Sequence, residues 1–432
     1  MHSRLTLKEL SPNLVLATTV HRLAFDELAG NKLKDISIGW THIVIDEASM
    51  ISLPHAVYTL LQFADVQEVS NKSGLLTTFT IAGDPFQIHP VGQTPSYIDQ
   101  GNEGLKGWAT ENIYTLFGIT NFSLNRTPIG NYTINKLLTQ YRCDPAIGDL
   151  FSKYKYEGSV NHKKQINTKE IELGGMLLES INMFTFPVYE EMHDDQEQMF
   201  NIQKYGEFSA YHIYSVVFSC ELALTIQLQY PHKSVSIITP YGTQARLIKE
   251  VSDSFKNQNP LIDFNVSTIH RYQGDESDVI ILVMNPPKIT PWEFSHFNNS
   301  YLINVGISRA KESLIILHPN NINGFSEIIE GALKSCDNYK NVFCSSIEKV
   351  LLEGLDNNCH INQFTDLIEV KDFSTFNVCD IREFILSGKE YLFFADNRKL
   401  KDGEKRYANV ILNFSGRYPI RNYVEPIKNI LG

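Results

Sequence analysis

The 432-residue sequence is poor in features that would assign it to several broad classes. Its six cysteines, Cys143, Cys220, Cys336, Cys344, Cys359 and Cys379, form no C-x-x-C pair. That argues against a zinc site and for a reduced, intracellular chain, cytoplasmic or nuclear. No apolar run approaches the roughly 18 residues of a membrane-spanning helix, so no membrane partner is expected. The first twenty residues lack the basic-then-apolar layout of a signal peptide. A basic excess is missing as well, since the net charge is −11. This counts weakly against nucleic acid, because a protein that grips a backbone in one groove needs positive charge only there. With 43% hydrophobic and 20% charged residues, the chain has enough apolar material for real cores and is not a disordered polymer.

What is present alternates. Short β-branched runs stand at Leu14–Ala17, Ile43–Ile45, Phe79–Ile81, Val235–Ile238, Val279–Val283 and Leu314–Leu317, with amphipathic stretches between several of them. Near-continuous apolar strands separated by helices predict an α/β fold with parallel sheets covered on both faces. In such sheets, ligands bind beyond the carboxyl ends of the strands.

Two strand ends carry suitable chemistry. HIVIDEAS delivers Asp46 and Glu47. Asp46 suits Mg²⁺, which prefers oxygen ligands and keeps part of its water shell. Glu47 suits a base that orients and deprotonates an attacking water. A strand end followed by a helix cap with acids in its first turn gives the same letters. TIAGDPFQIHPV ends in Gly83-Asp84, followed by Gln87 and Pro90. Glycine lets backbone approach a phosphate, and a glutamine can sense a γ-phosphate or position water. Read alone, GDP is also ordinary turn chemistry.

Together these segments resemble motifs II and III of superfamily 1 helicases, in the branch of the nonsense-mediated-decay helicase, senataxin and the immunoglobulin-mu-binding helicase. The remaining motifs follow in order. LLTQYRCDPAIGDLFSKYKYEGSV resembles motif IV and SIITPYGTQARLI the TPYxxQ segment. VSTIHRYQGDESDVIILV resembles motif V, and NVGISRAKESLIIL motif VI. The resemblance covers roughly three quarters of the chain. It implies two RecA-like domains, the first incomplete, over 1–130 and 131–320, with a boundary near Asn131–Leu137 and a small α+β extension over 321–432. It further implies ATP and Mg²⁺ as cofactors, single-stranded DNA or RNA as partner, and 5′-to-3′ movement as the two domains close on ATP.

The same resemblance assigns roles. Glu47, Gln87, Arg142 and Arg309 are the catalytic candidates, the two arginines as fingers on the transferring phosphoryl group. Asp84, Tyr141, Gly274, Glu276 and Lys311 are nucleotide-binding candidates, and Asp46 is the metal ligand. Tyr141 stacks on adenine or is a core tyrosine. Glu276 takes a ribose hydroxyl, orients a finger or is a solvated acid. Lys311 meets phosphate or an acidic neighbour such as Glu312. Thr18, Thr19, Thr239, Tyr241, Thr268 and His270 are the nucleic-acid candidates, with strand filling as the alternative for each threonine. His270 stands where much of this branch has an acid, and Tyr301-Leu302 where the family often has basic residues.

The largest departure is a missing G-x-x-x-x-G-K-[S/T] loop, for which Gly30-Asn31-Lys32 is no substitute. That Walker A loop supplies the amides, lysine and hydroxyl that hold Mg²⁺–triphosphate. A piece of a larger helicase is the favoured explanation. A catalytically silent remnant, or half of a split motor completed by a protein segment carrying the loop, are the others. Arg398, Lys399, Lys401, Lys405 and Arg406 lie among aromatics such as Tyr391 and Phe394 and read as a solvated face or a basic hairpin.

Overall fold

A computed structural model describes residues 41–70, 78–90, 110–164, 171–189, 202–205, 209–258, 262–285, 299–320, 331–334, 339–353, 368–371, 391–395 and 407–414, with single positions elsewhere. The chain divides into two compact units, Met1–Asn135 and Lys136–Gly432. The fold class is α/β, with parallel sheets, as the alternation of runs predicts.

In the first unit, β1 (His42–Ile45) pairs in parallel with β2 (Thr78–Ile81), Ile45 opposite Ile81. α1 (Leu53–Ser70) lies between them in the chain. The strand expected at Leu14–Ala17 falls largely outside the described residues. Ile45, Ala48, Ala56, Ile113 and Tyr114 make a small core, and Ile51, Leu60, Ile81, Phe117 and Ile119 pack on it. After the GDP turn comes α2 (Ile113–Leu116). Asn112 caps this helix, accepting from Tyr114 N and Thr115 N. Its amide also donates to Ser49 O at 3.0 Å, which ties α2 to the DEAS turn.

The second unit is built on a six-stranded sheet. Its elements in chain order begin with α3 (Pro145–Lys155), β3 (Ile181–Phe186), α4 (Ile213–Gln229), β4 (Val235–Thr239) and α5 (Gly242–Gln258). Then come β5 (Asn265–Thr268), β6 (Ser277–Val283), α6 (Ser300–Ile307), β7 (Ala310–Pro319), β8 (Lys340–Phe343) and α7 (Cys344–Glu353). The strand order is β5-β4-β6-β7-β3-β8, every pair parallel. Val279 through Val283 are all wholly buried, as a strand covered on both faces requires. α4 is apolar around most of its circumference and is buried accordingly.

Three strands of this sheet, β3, β5 and β8, are not among the runs read from the sequence. β3 interrupts its apolar letters with Asn182, which is fully buried; its amide donates to Glu179 O and Ser313 Oγ, and its carbonyl accepts from Glu179 N. β8, KNVF, is a short edge strand. The sheet therefore runs past residue 320, and α7 follows within the same body: Tyr214 on α4 donates to Glu348 on α7. Farther along, Ile368–Lys371, Tyr391–Ala395 and Tyr407–Phe414 form an antiparallel sheet with Tyr407–Phe414 in the middle. The basic positions Arg398 to Arg406 lie outside the described residues. No helix among the described residues is long and apolar enough to cross a membrane.

Candidate functional site

In the first unit, the chemistry collects at the carboxyl ends of β1 and β2. Ala82 N donates to Ile45 O at 2.8 Å and Ala48 N to Ala82 O at 3.0 Å, so the two turns are laced together. Asp46 and Glu47 are exposed there. Glu47 sits in the left-handed region (φ 49, ψ 41), a strained place for a side-chain-bearing residue. It is held by Glu47 N donating to Asp46 Oδ1 at 2.9 Å and by Met50 N donating to Glu47 O at 3.0 Å. Across the turn, Gly83 has φ 141, and a Cβ there would lie 2.8 Å from Ala48 N. Only glycine allows this approach. Asp84 Oδ1 accepts from Phe86 N at 2.9 Å, and Gln87 N donates to Asp84 O at 3.3 Å. The GDP turn is thus both ordinary turn chemistry and a close neighbour of the acidic turn.

Tyr114, not singled out by any motif, completes this group. Its ring is 8% exposed, and its hydroxyl is enclosed with no hydrogen-bond partner among the described residues. Burial, and then the nearby Asp84, Glu47 and Asp46 carboxylates, push its pKa up.

In the second unit, a charged cluster forms where β6 and β7 begin. Arg142 Nε meets Glu276 Oε2 at 2.7 Å. Lys311 Nζ lies 4.0 Å from Glu276 and 3.2 Å from Asp278. Lys311 therefore faces Glu276 and Asp278 and not Glu312, which pairs with Lys233. The cause is strand alternation: neighbours on a strand point to opposite faces. Burial opposes ionisation of Asp278, but hydrogen bonds from Ser234 and Lys311, with the Lys311 charge, hold its carboxyl below its ordinary value. Glu276 has the geometry of a residue that orients an arginine.

Gln140 fixes the turn that presents Arg142. Its carbonyl accepts from Arg142 N at 2.8 Å and Cys143 N at 2.9 Å. Its amide donates to Cys143 O at 3.1 Å. Asp144 then caps α3 through Ala146 N and, by its own N–H, ties to Lys311 O at 2.8 Å. Tyr141 is 66% exposed and is no core tyrosine. Arg309 is enclosed, 3% exposed, with Nε donating to Val305 O at 3.2 Å. Gly274 has φ 93 in the turn before β6, with open space where a Cβ would stand.

The nucleic-acid candidates are more scattered. Thr18 lies outside the described residues, and Thr19 is exposed. Tyr241, Thr268 and His270 are half-buried just past, or at, the carboxyl ends of β4 and β5, and Thr268 Oγ1 accepts from Arg271 N at 3.4 Å. Thr239 departs from the expectation. It is fully buried, and its hydroxyl donates to Asn285 at 3.2 Å, so in this conformation it presents no side-chain group to a strand. Leu302, at one of the two motif VI departures, is a core residue.

A family model described as "AAA domain" matches residues 122–320. The chain is 24% identical over 301 residues to the putative helicase mov-10-B.2 of Danio rerio, covering 64% of this chain and 27% of that protein. It is 22% identical over 292 residues to the RNA helicase aquarius of Mus musculus, covering 67% and 18%. It is 22% identical over 371 residues to the DNA replication ATP-dependent helicase/nuclease dna2 of Schizosaccharomyces pombe, covering 82% and 23%. The chain thus spans about a quarter or less of the length of these relatives. All three relatives are named as helicases.

Proposed function

We propose that the chain is the hydrolytic and strand-gripping part of an ATP-dependent motor acting on single-stranded DNA or RNA. The observation that carries this reading is the convergence of Arg142, Glu276 and Lys311, from three separate motif-like segments, into one ionic cluster. Arg142 and Glu276 are 42% and 41% exposed. An ion pair that exposed contributes only about 0–1 kcal/mol, so a phosphate can take Glu276's place on the guanidinium at little cost.

The residues fit the proposed cofactors in part. Among the described residues, no cluster of three or more His, Cys, Asp or Glu can hold a metal by itself. One carboxylate, Asp46, with water and phosphate oxygens completing the shell, is what Mg²⁺ ordinarily accepts. The close approach at Gly83 leaves room where a side chain would block the turn. The triphosphate cradle does not fit, because these 432 residues contain no G-x-x-x-x-G-K-[S/T]. ATP would supply the transferable phosphoryl group, and Mg²⁺ would neutralise its charge. Glu47 takes the proton of the attacking water, and Gln87 orients that water. Asp84 holds the turn that carries Gln87. Arg142 and Arg309 serve phosphoryl oxygens, Lys311 a phosphate, Tyr141 the base, and Gly274 a backbone approach.

The missing loop favours a second reading, a catalytically silent nucleic-acid-binding protein. Phosphate release separates the two. The chain is supplied with a strand–loop–helix segment bearing G-x-x-x-x-G-K-[S/T], joined to it or as a separate polypeptide. Release that rises with single-stranded RNA or DNA and vanishes in Glu47→Gln supports the motor. No release from the completed protein, with oligonucleotide binding intact, sinks the motor in favour of the silent binder.

A further inference from the structure

We propose that Lys155, Ser300 and Tyr301 form a contact for the phosphate backbone of a single nucleic-acid strand, apart from the nucleotide-facing arginines. The inference rests on the reading that the chain binds nucleic acid, and it names one grip that no motif assigns.

Lys155 is the last residue of α3. Its ammonium donates to Ser300 Oγ at 2.7 Å and lies 4.8 Å from the centroid of the Tyr301 ring and 5.3 Å from that of Tyr154. It is half-buried, and that burial lowers its pKa. Among the described residues, no carboxylate pairs with it. Four other lysines of the unit, Lys233, Lys249, Lys256 and Lys311, each meet an Asp or Glu. Withdrawing an ammonium from water without a counter-ion is unfavourable. The aromatic faces and the serine hydroxyl offset part of that cost and fix the direction of the charge. An arriving anion would offset the rest. The helix amides of α6 do not offer the site, because Asn299 already accepts from Tyr301 N and Leu302 N. Lysine supplies the charge.

Topology says which anion. The chain leaves β6 at its carboxyl end and re-enters the sheet at the start of β7 through α6. Ser277 N donates to Arg309 O at 3.3 Å, which puts the exit of α6 at the amino end of β6. α6 therefore runs against the strands, and Ser300 and Tyr301 lie toward the carboxyl ends. α3 begins beside Lys311, at the amino end of β7, and finishes at Lys155. Both helices deliver this group to the end of the sheet that carries Tyr241, Thr268 and His270. The Arg142–Glu276–Lys311 cluster stands at the opposite end. A phosphate on Lys155 is thus one from a strand passing the carboxyl ends, with the tyrosine ring beside it as a surface for a base.

The test uses the 432-residue chain and a dye-labelled single-stranded 20-nucleotide oligouridylate, without ATP, over a series of salt concentrations. Lys155→Ala should weaken binding about fivefold at low salt and flatten the log Kd–log salt slope by about 0.7, the value for one lost single-strand phosphate contact. Lys155→Arg should restore both. Lys155→Gln is one atom shorter but keeps most of the aliphatic stem and a donor for Ser300 while removing the charge, so it should fold and show the same loss if Lys155→Ala unfolds. Lys249→Ala, on an exposed helix face, should change neither quantity. Unchanged affinity and slope in Lys155→Gln, with wild-type binding intact, overturn this contact alone. A wild-type chain that binds no oligonucleotide overturns the contact and the nucleic-acid reading together.

Discussion

The hydroxyl of Tyr114 is enclosed without a hydrogen-bond partner among the described residues, in the field of three carboxylates. A buried polar group that makes no hydrogen bond costs about 1–3 kcal/mol. Tyr114→Phe should therefore leave the chain as stable as before, or up to about 1 kcal/mol more stable, against the usual loss for a buried substitution. Urea titration reads this directly, and a clear drop in midpoint would mean that a water or ligand holds the hydroxyl in solution. His212 carries the opposite lesson. It is fully buried against Phe186, at 4.9 Å between ring centroids; Nε2–H donates to Phe200 O, and Nδ1 accepts from Ser215 N. Burial lowers its pKa from 6.5 to about 4. Between those values the unfolded chain binds the proton and the folded one does not, so stability is complete above about pH 6.5 and falls as pH drops toward 4. At roughly 1.4 kcal/mol per pKa unit, the loss is on the order of 3 kcal/mol. Melting curves from pH 7 to 4 should show it, and His212→Gln should flatten that slope; an unchanged slope would remove His212 as the cause. Neither residue was legible in the sequence, because neither Tyr114 nor His212 belongs to a motif. What marks them is their enclosure, and enclosure is a tertiary property.

Among the elements of the second unit, the strands legible in the sequence are those whose burial is continuous. Val279–Val283 and Leu314–Leu317 announce themselves because both faces are covered, so no polar residue is needed. β3 escaped because Asn182 breaks the run, yet that asparagine is satisfied inside the sheet by Glu179 and Ser313. β5 and β8 escaped because they are the two edge strands and their letters, NVST and KNVF, hold no continuous apolar run. The same contrast separates the site residues. Asp46, Glu47 and Asp84 were legible because strand ends are where ligands bind. Gln140 was visible only as a motif letter; that it clamps the Arg142 turn through two backbone N–H groups is a fact of geometry. Packing gives the element-scale prediction. Phe218 on α4 is wholly buried among Phe184, Tyr214 and Phe364. Phe218→Ala leaves a cavity in this aromatic layer and should cost about 3–5 kcal/mol. Denaturant unfolding checks it, and a loss below about 1 kcal/mol would mean that the layer collapses around the gap or is not packed this way.

At the scale of the whole molecule, the question is whether the motor chemistry is complete within the 432 residues. By itself the chain should show negligible ATP turnover even with nucleic acid present, because its sequence carries no G-x-x-x-x-G-K-[S/T] to hold the β- and γ-phosphates. Robust nucleic-acid-stimulated release from the pure chain, lost in Glu47→Gln, would reveal a substitute phosphate loop. Supplying the loop allows the arginines to be tested. Arg142 stands exposed on Glu276 in a cheap, exchangeable pair, whereas Arg309 is enclosed beneath the end of α6 with Nε on Val305 O. Removing Arg142 should therefore lower turnover without lowering the melting temperature. Arg309→Ala should lower both: turnover by on the order of 10³ or more, the scale of a lost finger, and stability because a buried guanidinium leaves its acceptor and a cavity behind. Its effect on ATP affinity should be smaller than on turnover, since the charge it answers grows mainly in the transition state. Arg309→Lys separates the two roles, keeping a charge but not the planar fork that serves phosphoryl oxygens. If Arg309→Ala leaves turnover within a few-fold of the parent while the protein stays folded, the motif VI assignment fails, and Arg309 is a core residue that only happens to stand in an SRAK sequence.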